Sequence, residues 1–271
     1  WRVYPGGMGR SAFKIASMRK KYFALGAGAL VLAGLWLGFY LTAYKGAENP
    51  EVTSFGRVHY ALYSDKSFYP NINNQEGIDA IADKVYGGIV SHHFLVEREI
   101  AKYFTYLKSQ DVETLVLIGP NHFNAGNSNS LVSAYTYQTP WGELDPDLPA
   151  IEQLKEKKLV TVEEQPFEKE HSISALVGFI KHAWPEVRIV PIILKRNTSK
   201  EFGNELAGAL SDLGDKKTIV LASADFSHHV DHETAEVQDR KTAGLLEGFD
   251  YDSIYDLSPE ELDSPISVYE G

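Results

Sequence analysis

The sequence predicts an α/β domain with a mainly parallel sheet flanked by helices, preceded by one transmembrane helix. Three observations carry that prediction. Strand-like apolar runs (VYGGIV at 85–90, TLVLIG at 114–119, TIVLAS at 218–223) alternate with stretches of helical periodicity, the pattern of βαβ units. An uncharged run of 23 residues, YFALGAGALVLAGLWLGFYLTAY at 22–44, is long enough to cross a hydrocarbon core as a helix. Four apolar stretches end in histidine-bearing clusters: IVSHH at 89–93, VLIGPNH at 116–122, KEHSI at 169–173 and VLASADFSHH at 220–229. Open α/β sheets bind ligands at the carboxyl ends of their strands, so His92, His93, His122, Asp225 and His228 are expected to meet there.

In chain order, residues 1–21 read as a basic cytoplasmic tail, with Arg10, Lys14, Arg19, Lys20 and Lys21 ahead of the apolar run and Lys45 alone close behind it. The positive-inside rule then places the remainder of the chain outside the cytoplasm. The run at 22–44 reads as a signal anchor; it is long for a cleaved signal peptide, and no small-x-small cleavage site follows it. Gly34 and Gly38 form a small-xxx-small pair through which two spans would pack as a homodimer. Residues 45–57 are a polar linker, and 58–271 form the globular domain, whose last segment, SPISVYEG, stops inside the apparent start of a helix.

Within the domain, VEREIAKYFTYLKSQ at 96–110 places Ile100, Phe104 and Leu107 on one helical face before the strand TLVLIG. LVSAYTYQTPWGEL alternates in the strand manner, and DPDLPAIEQLKEKKL starts a helix. HSISALVGFIKHAW spaces Ile173, Leu176, Val177 and Ile180 for an amphipathic helix stopped by Pro185. A strand over 187–194, a helix over 200–214 and the strand TIVLASAD follow.

Charge and composition remove several classes. The seven Lys/Arg of residues 1–45 are unopposed, so the net charge of −11 becomes −18 for residues 46–271. Such a domain repels phosphate backbones, which argues against a nucleic-acid partner. With no cysteine, disulfides, Fe–S clusters and thiolate catalysis are excluded. No G-x-S-x-G elbow is present, which disfavours serine hydrolysis.

The chemistry then falls to histidines and carboxylates. His93 and His122, delivered from strand ends, are the first candidates for metal ligands, and a carboxylate is the natural third, as in two-His-one-carboxylate Fe(II) sites. The segment SPEELDSPIS offers Glu260, Glu261 and Asp263, although Ser-Pro-Glu-Glu also suits a helix start. Asp225 and His228 lie three residues apart, a spacing that can orient an imidazole beside a carboxylate so that His228 acts as acid or base. His171 is expected at the site rim, where Ser172 or Ser174 caps the following helix; His229 and His232 read as exposed or capping. His59 and His182 lack evident partners in the sequence and read as structural or exposed.

Taken together, GIVSHH, LIGPNH, Tyr137-Thr139-Pro140-Trp141-Gly142, EHSI, VPIIL and SADFSHH, in that order over residues 85–271, resemble the Memo family, protein B of the AmmeMemoRadiSam system. The resemblance implies a fold like that of the class III extradiol dioxygenases. It also implies metal ligation by His93 and His122, with site roles for His171, Asp225 and His228. Many members carry a cysteine ahead of Pro-Ile in the C-terminal motif; here EELDSPIS keeps Pro265 and Ile266 and offers Glu261 or Asp263 instead.

The expected function is a membrane-anchored protein with a histidine-lined site for a divalent metal, Fe(II) or Cu ahead of Zn, and metal-dependent redox or dioxygenase-like chemistry on a small molecule. The alternatives are a non-catalytic module that captures a peptide in the same cleft, and Zn-dependent hydrolysis.

Overall fold

A computed structural model describes residues 58–74, 77–213 and 217–270. The strands are β1 (Val58–Tyr60), β2 (Gly87–Val90), β3 (Thr114–Pro120), β4 (Ser130–Val132), β5 (Thr136–Thr139), β6 (Gly142–Leu144), β7 (Thr161–Val162), β8 (Arg188–Leu194) and β9 (Thr218–Ser223). The helices are α1 (Glu97–Leu107), α2 (Leu148–Glu156), α3 (His171–Ser174), α4 (Val177–Ala183), α5 (Lys200–Leu213), α6 (His232–Glu247), α7 (Tyr251–Tyr255) and α8 (Pro265–Glu270).

A six-stranded sheet in the order β2-β9-β3-β8-β4-β7 forms the centre. The pairs β2–β9, β9–β3 and β3–β8 are parallel, as the alternation of apolar runs and helical stretches predicts; β4 runs antiparallel to β8. Along fully buried β3, side chains alternate between faces. Leu115 and Leu117 pack with Ile100, Phe104 and Leu107 of α1 and with Phe179 of α4, whereas Val116 and Ile118 join Ile151, Leu154, Leu206 and Leu210 of α2 and α5. Burying each such side chain contributes about 1.5–3 kcal/mol. This sandwich holds the strand ends rigid, and the site is built on those ends.

Three features depart from the sequence expectation. The helix expected over 171–184 is two pieces, α3 and α4. A serine hydroxyl explains part of the break: Ser174 Oγ bonds back to the Glu170 carbonyl at 2.8 Å and so competes with regular helix. A second sheet, β1-β5-β6, was not anticipated; β1 pairs in parallel with β5 from 78 residues further on, a contact no local pattern announces.

The third departure corrects the fold class. No helix among the described residues is long and apolar enough to cross a membrane. The span expected at 22–44, like the tail at 1–21 and the linker at 45–57, lies outside the described residues. The fold is therefore a mixed α/β one without a supported transmembrane helix, and the single-pass, extracytoplasmic placement that followed from the span loses its basis.

Candidate functional site

The carboxyl ends of β2, β9 and β3 lie side by side, and the residues just past them converge. His92 follows β2, Asp225 follows β9 and His122 follows β3, while His171 opens α3. Ligand-capable nitrogens of His92, His122 and His171 lie within 4.8 Å of one another, and a nitrogen of His92 forms a second such group with carboxylate oxygens of Asp225 and Asp263. The His122 and His171 rings stack at 4.1 Å between centroids.

Each imidazole is held so that one nitrogen faces its neighbours. The Ser223 hydroxyl donates its single proton to the Ser172 carbonyl at 2.6 Å, so toward His92 Nδ1, 3.0 Å away, it can only accept. In the neutral ring Nδ1 therefore carries the hydrogen and Nε2 presents a lone pair, 3.3 Å from Asp263 Oδ2 and 3.5 Å from Asp225 Oδ2. Fully buried Glu170 does the same for His122, accepting from Nδ1 at 2.7 Å and from the His122 backbone N–H at 2.9 Å. This leaves His122 Nε2 facing Asp263 Oδ2 at 3.7 Å. Glu170 also accepts from Ser172 N–H as the N-cap of α3, which fixes His171 in position. Gly119 is required beneath this arrangement, because a Cβ there would sit 2.6 Å from Ser172 Oγ.

The acids are locked as well. Asp225 Oδ1 accepts from Ser91 Oγ at 2.5 Å and from the His92 N–H at 3.1 Å. Asp263 Oδ1 accepts from the Asp225 N–H at 2.9 Å, while the Asp263 N–H donates to the Asp225 carbonyl at 3.1 Å.

Electrostatics separate the three histidines. Burial lowers the pKa of His92 despite Asp225 and Asp263, and burial together with the neighbouring His122 charge lowers that of His171. Burial also opposes protonation of His122, but Asp263 and Glu170 outweigh it and push this pKa up to about 9. Burial would raise the pKa of Glu170, and its hydrogen bonds to His122 reverse that and lower it. Two imidazoles are thus ready as neutral ligands, and the third must give up a proton to become one. Three converging imidazoles, one of them buried, beside a carboxylate are a donor set that fits Fe(II), Cu or Zn.

Of the residues expected in the site, the structure brings together His122, His171, Asp225 and Asp263. His93 is not in the cluster. It is exposed, and its Nδ1 accepts from the Leu95 N–H at 3.3 Å to cap a short 3-10 turn over Phe94–Val96. Its place belongs to His92, a position the strand period does indicate, since Val90 and His92 fall on the same buried face two residues apart. Glu261 points elsewhere: its carboxylate pairs with Lys241 Nζ at 2.6 Å and accepts from the Ser258 N–H at 3.0 Å, in a turn rather than a helix start. Glu260 is exposed in the same turn. Asp225 orients His92, not His228, whose Nδ1 is held by the Phe226 carbonyl at 3.0 Å.

His228 does line a cavity of about 280 Å³ that opens beside His122 and Asp263. Its walls include Pro120, Leu194, Tyr255 and Ile266, and Arg196 stands on its rim, a residue for which the sequence offered no signal. His229 and His232 are exposed, and His232 lies 3.3 Å from Glu236 on α6. His59 and His182, expected to lack partners, have them in Glu164 and Asn73.

The sequence profile of the family described as Memo-like protein matches residues 86–264, a range that takes in every residue of the cluster. A MEMO1 family protein of Caldivirga maquilingensis is 33% identical over 179 residues, 64% of this chain and 60% of that protein. One of Pyrobaculum arsenaticum is 32% identical over 59% of each chain, and one of Methanosarcina mazei 30% identical over 70% of this chain and 74% of that one. The chain spans about 60% of the length of the first two. The crystal structure of an uncharacterized protein from Escherichia coli K12 aligns with 64% of this chain and 79% of that one, at 16% identity and a TM-score of 0.40, too loose a likeness to carry an argument.

Proposed function

This chain belongs to the Memo-like family, and from that premise we propose that its histidine cluster is a divalent-metal site, for iron or copper, serving redox chemistry on a small molecule in the adjoining cavity. The observation that carries the reading is the convergence of His92, His122 and His171, with their ligand nitrogens within 4.8 Å of one another. These three would hold the ion, with Asp263 as the carboxylate that approaches both His92 and His122. A bound ion would supply Lewis acidity and, as iron or copper, one-electron chemistry.

The protein's own groups do the rest. Ser223 and Glu170 fix the tautomers of His92 and His122, so the facing nitrogens need no reorientation. Asp225 holds His92 through its backbone and places a second carboxylate oxygen near the ring. His228, with Nδ1–H donated to a carbonyl, keeps an Nε2 lone pair for a proton from a molecule in the cavity.

The test is bound metal by mass spectrometry on the full chain beside a His92→Ala/His122→Ala double variant and His93→Ala. Near-stoichiometric iron or copper, lost in the double variant and kept in His93→Ala, is the expected result. No specific metal in any of the three would overturn the reading, and zinc alone with esterase or amidase activity would replace it with hydrolysis. A second reading, peptide capture without turnover, is favoured by the apolar groove of Ile89, Leu95, Val96, Phe226 and Leu246 next to the site; oxygen consumption by the iron-loaded chain separates the two.

A further inference from the structure

Hydrogen-bonding capacity around the cavity is nearly used up, and what remains is informative. Asn121 spends its amide on Ala125, with Nδ2 donating to the carbonyl at 2.9 Å and Oδ1 accepting from the N–H at 3.0 Å. The Tyr255 hydroxyl donates to the Thr198 carbonyl at 2.8 Å, and Ser264 Oγ is paired with Ser267 Oγ at 2.5 Å. His122 and Asp263 face each other and His92. Two polar groups are left over: the Nε2 of His228 and the whole guanidinium of Arg196, which among the described residues makes no hydrogen bond or ion pair.

An arginine without a carboxylate partner is out of keeping with its surroundings, because residues 46–271 carry a net charge of −18 and the lysines on this side of the fold do find acids: Lys200 pairs with Asp252 and Lys241 with Glu261. Arg196 is the one permanent cation lining a cavity whose remaining walls are mostly proline, leucine, isoleucine and tyrosine. Guanidinium groups match carboxylates bidentately. A cavity of about 280 Å³ lies at the small end of ligand pockets, which run from about 300 to 1,000 Å³.

We infer that Arg196 is the specificity residue of this pocket and that the substrate class is a small carboxylic acid with an apolar body, its carboxylate on Arg196 and its body against the Leu194 and Ile266 wall. A carboxylate suits the site better than phosphate, since a second negative charge would meet Asp263, and the other cationic group of the lining, His122, is already engaged by Glu170 and Asp263. This assignment rests on reading the cavity as the functional pocket, but not on the metal, because Arg196 reaches its ligand from the rim.

The test titrates the full chain with benzoate and cyclohexanecarboxylate against their uncharged amides and inorganic phosphate, followed by saturation-transfer NMR and thermal shift, with and without a chelator. Arg196 holds nothing in place, so its variants fold. The acids should bind better than the amides by about tenfold or more. Arg196→Gln should erase that preference, Arg196→Lys should keep part of it, and bound metal should stay at the wild-type level in both. Equal binding of acid and amide, an undiminished preference in Arg196→Gln, tighter binding of phosphate than of either acid, or no binding of the acids would overturn the assignment. No specific metal in the wild-type chain, with its acid preference intact and erased by Arg196→Gln, would instead overturn the metal reading alone.

Discussion

Two histidines in this molecule sit on carboxylates at almost the same distance, one buried and one open to solvent. His59 Nε2 is 2.9 Å from Glu164, whose two oxygens also take Ser133 Oγ and the Ala134 N–H, and Tyr135, Tyr137 and Phe167 close around the ring. The pair ties the small β1-β5-β6 sheet to the segment after β7. His122 Nδ1 is 2.7 Å from Glu170, yet its other nitrogen faces His92, Asp263 and the cavity. A charged partner is common to both, but His59 is buried whereas His122 opens onto the cavity, and that difference separates a histidine that fastens the fold from one placed at the candidate site.

Substitutions can sharpen the contrast, and the largest effect belongs to the acid that faces two imidazoles. Asp263→Asn should weaken metal binding by at least about 100-fold, while Glu261→Gln, two residues away and engaged with Lys241, should change it less than about threefold. Competition with a fluorescent chelator reads both, and equal losses would place the carboxylate ligand wrongly. Glu170→Gln, which keeps the shape but removes the charge behind His122, should cost about 10–100-fold in affinity.

The fastening pair should respond in stability instead. His59→Ala leaves Glu164 without one of its partners and should cost about 2–4 kcal/mol in urea unfolding, with metal stoichiometry unchanged. Metal lost together with His59 would erase the distinction. The smallest effect is a pH dependence. Because the His122 pKa is raised from 6.5 to about 9 in the fold, its protonation contributes stability that is fully present below pH 6.5 and disappears as the pH rises through about 9. Chelator-treated protein should therefore melt at progressively lower temperature across that window, and His122→Ala should show a flatter profile.

The sequence made the strand ends and the gathering of His122, His171 and Asp225 legible, because a parallel sheet delivers every strand's end to one side; the order of the strands, with β9 between β2 and β3, was not legible. It left the choice between His92 and His93 open, since adjacent residues past a strand point to opposite sides and the local 3-10 turn decides which one caps the backbone. Extending the two-residue period from Val90 selects His92. Glu261 against Asp263 was equally open: each is compatible with the motif, and only the docking of the segment before α8 against Asp225 distinguishes them. Arg196 carried no signal, because nothing in a sequence reveals that a charge lacks a partner. The small sheet was hidden for a related reason, as β1 depends on a strand 78 residues away.

The two hydrogen bonds that Asp225 and Asp263 exchange, one between backbones and one to the Asp263 carboxylate, also bear on the order in which this molecule comes into being. They join residues 38 positions apart, so Asp263 is synthesised after the strands bearing His92 and His122. On the proposed reading, a growing chain would present its imidazoles before that acid is in place, and docking of the later segment would complete the donor set for an ion.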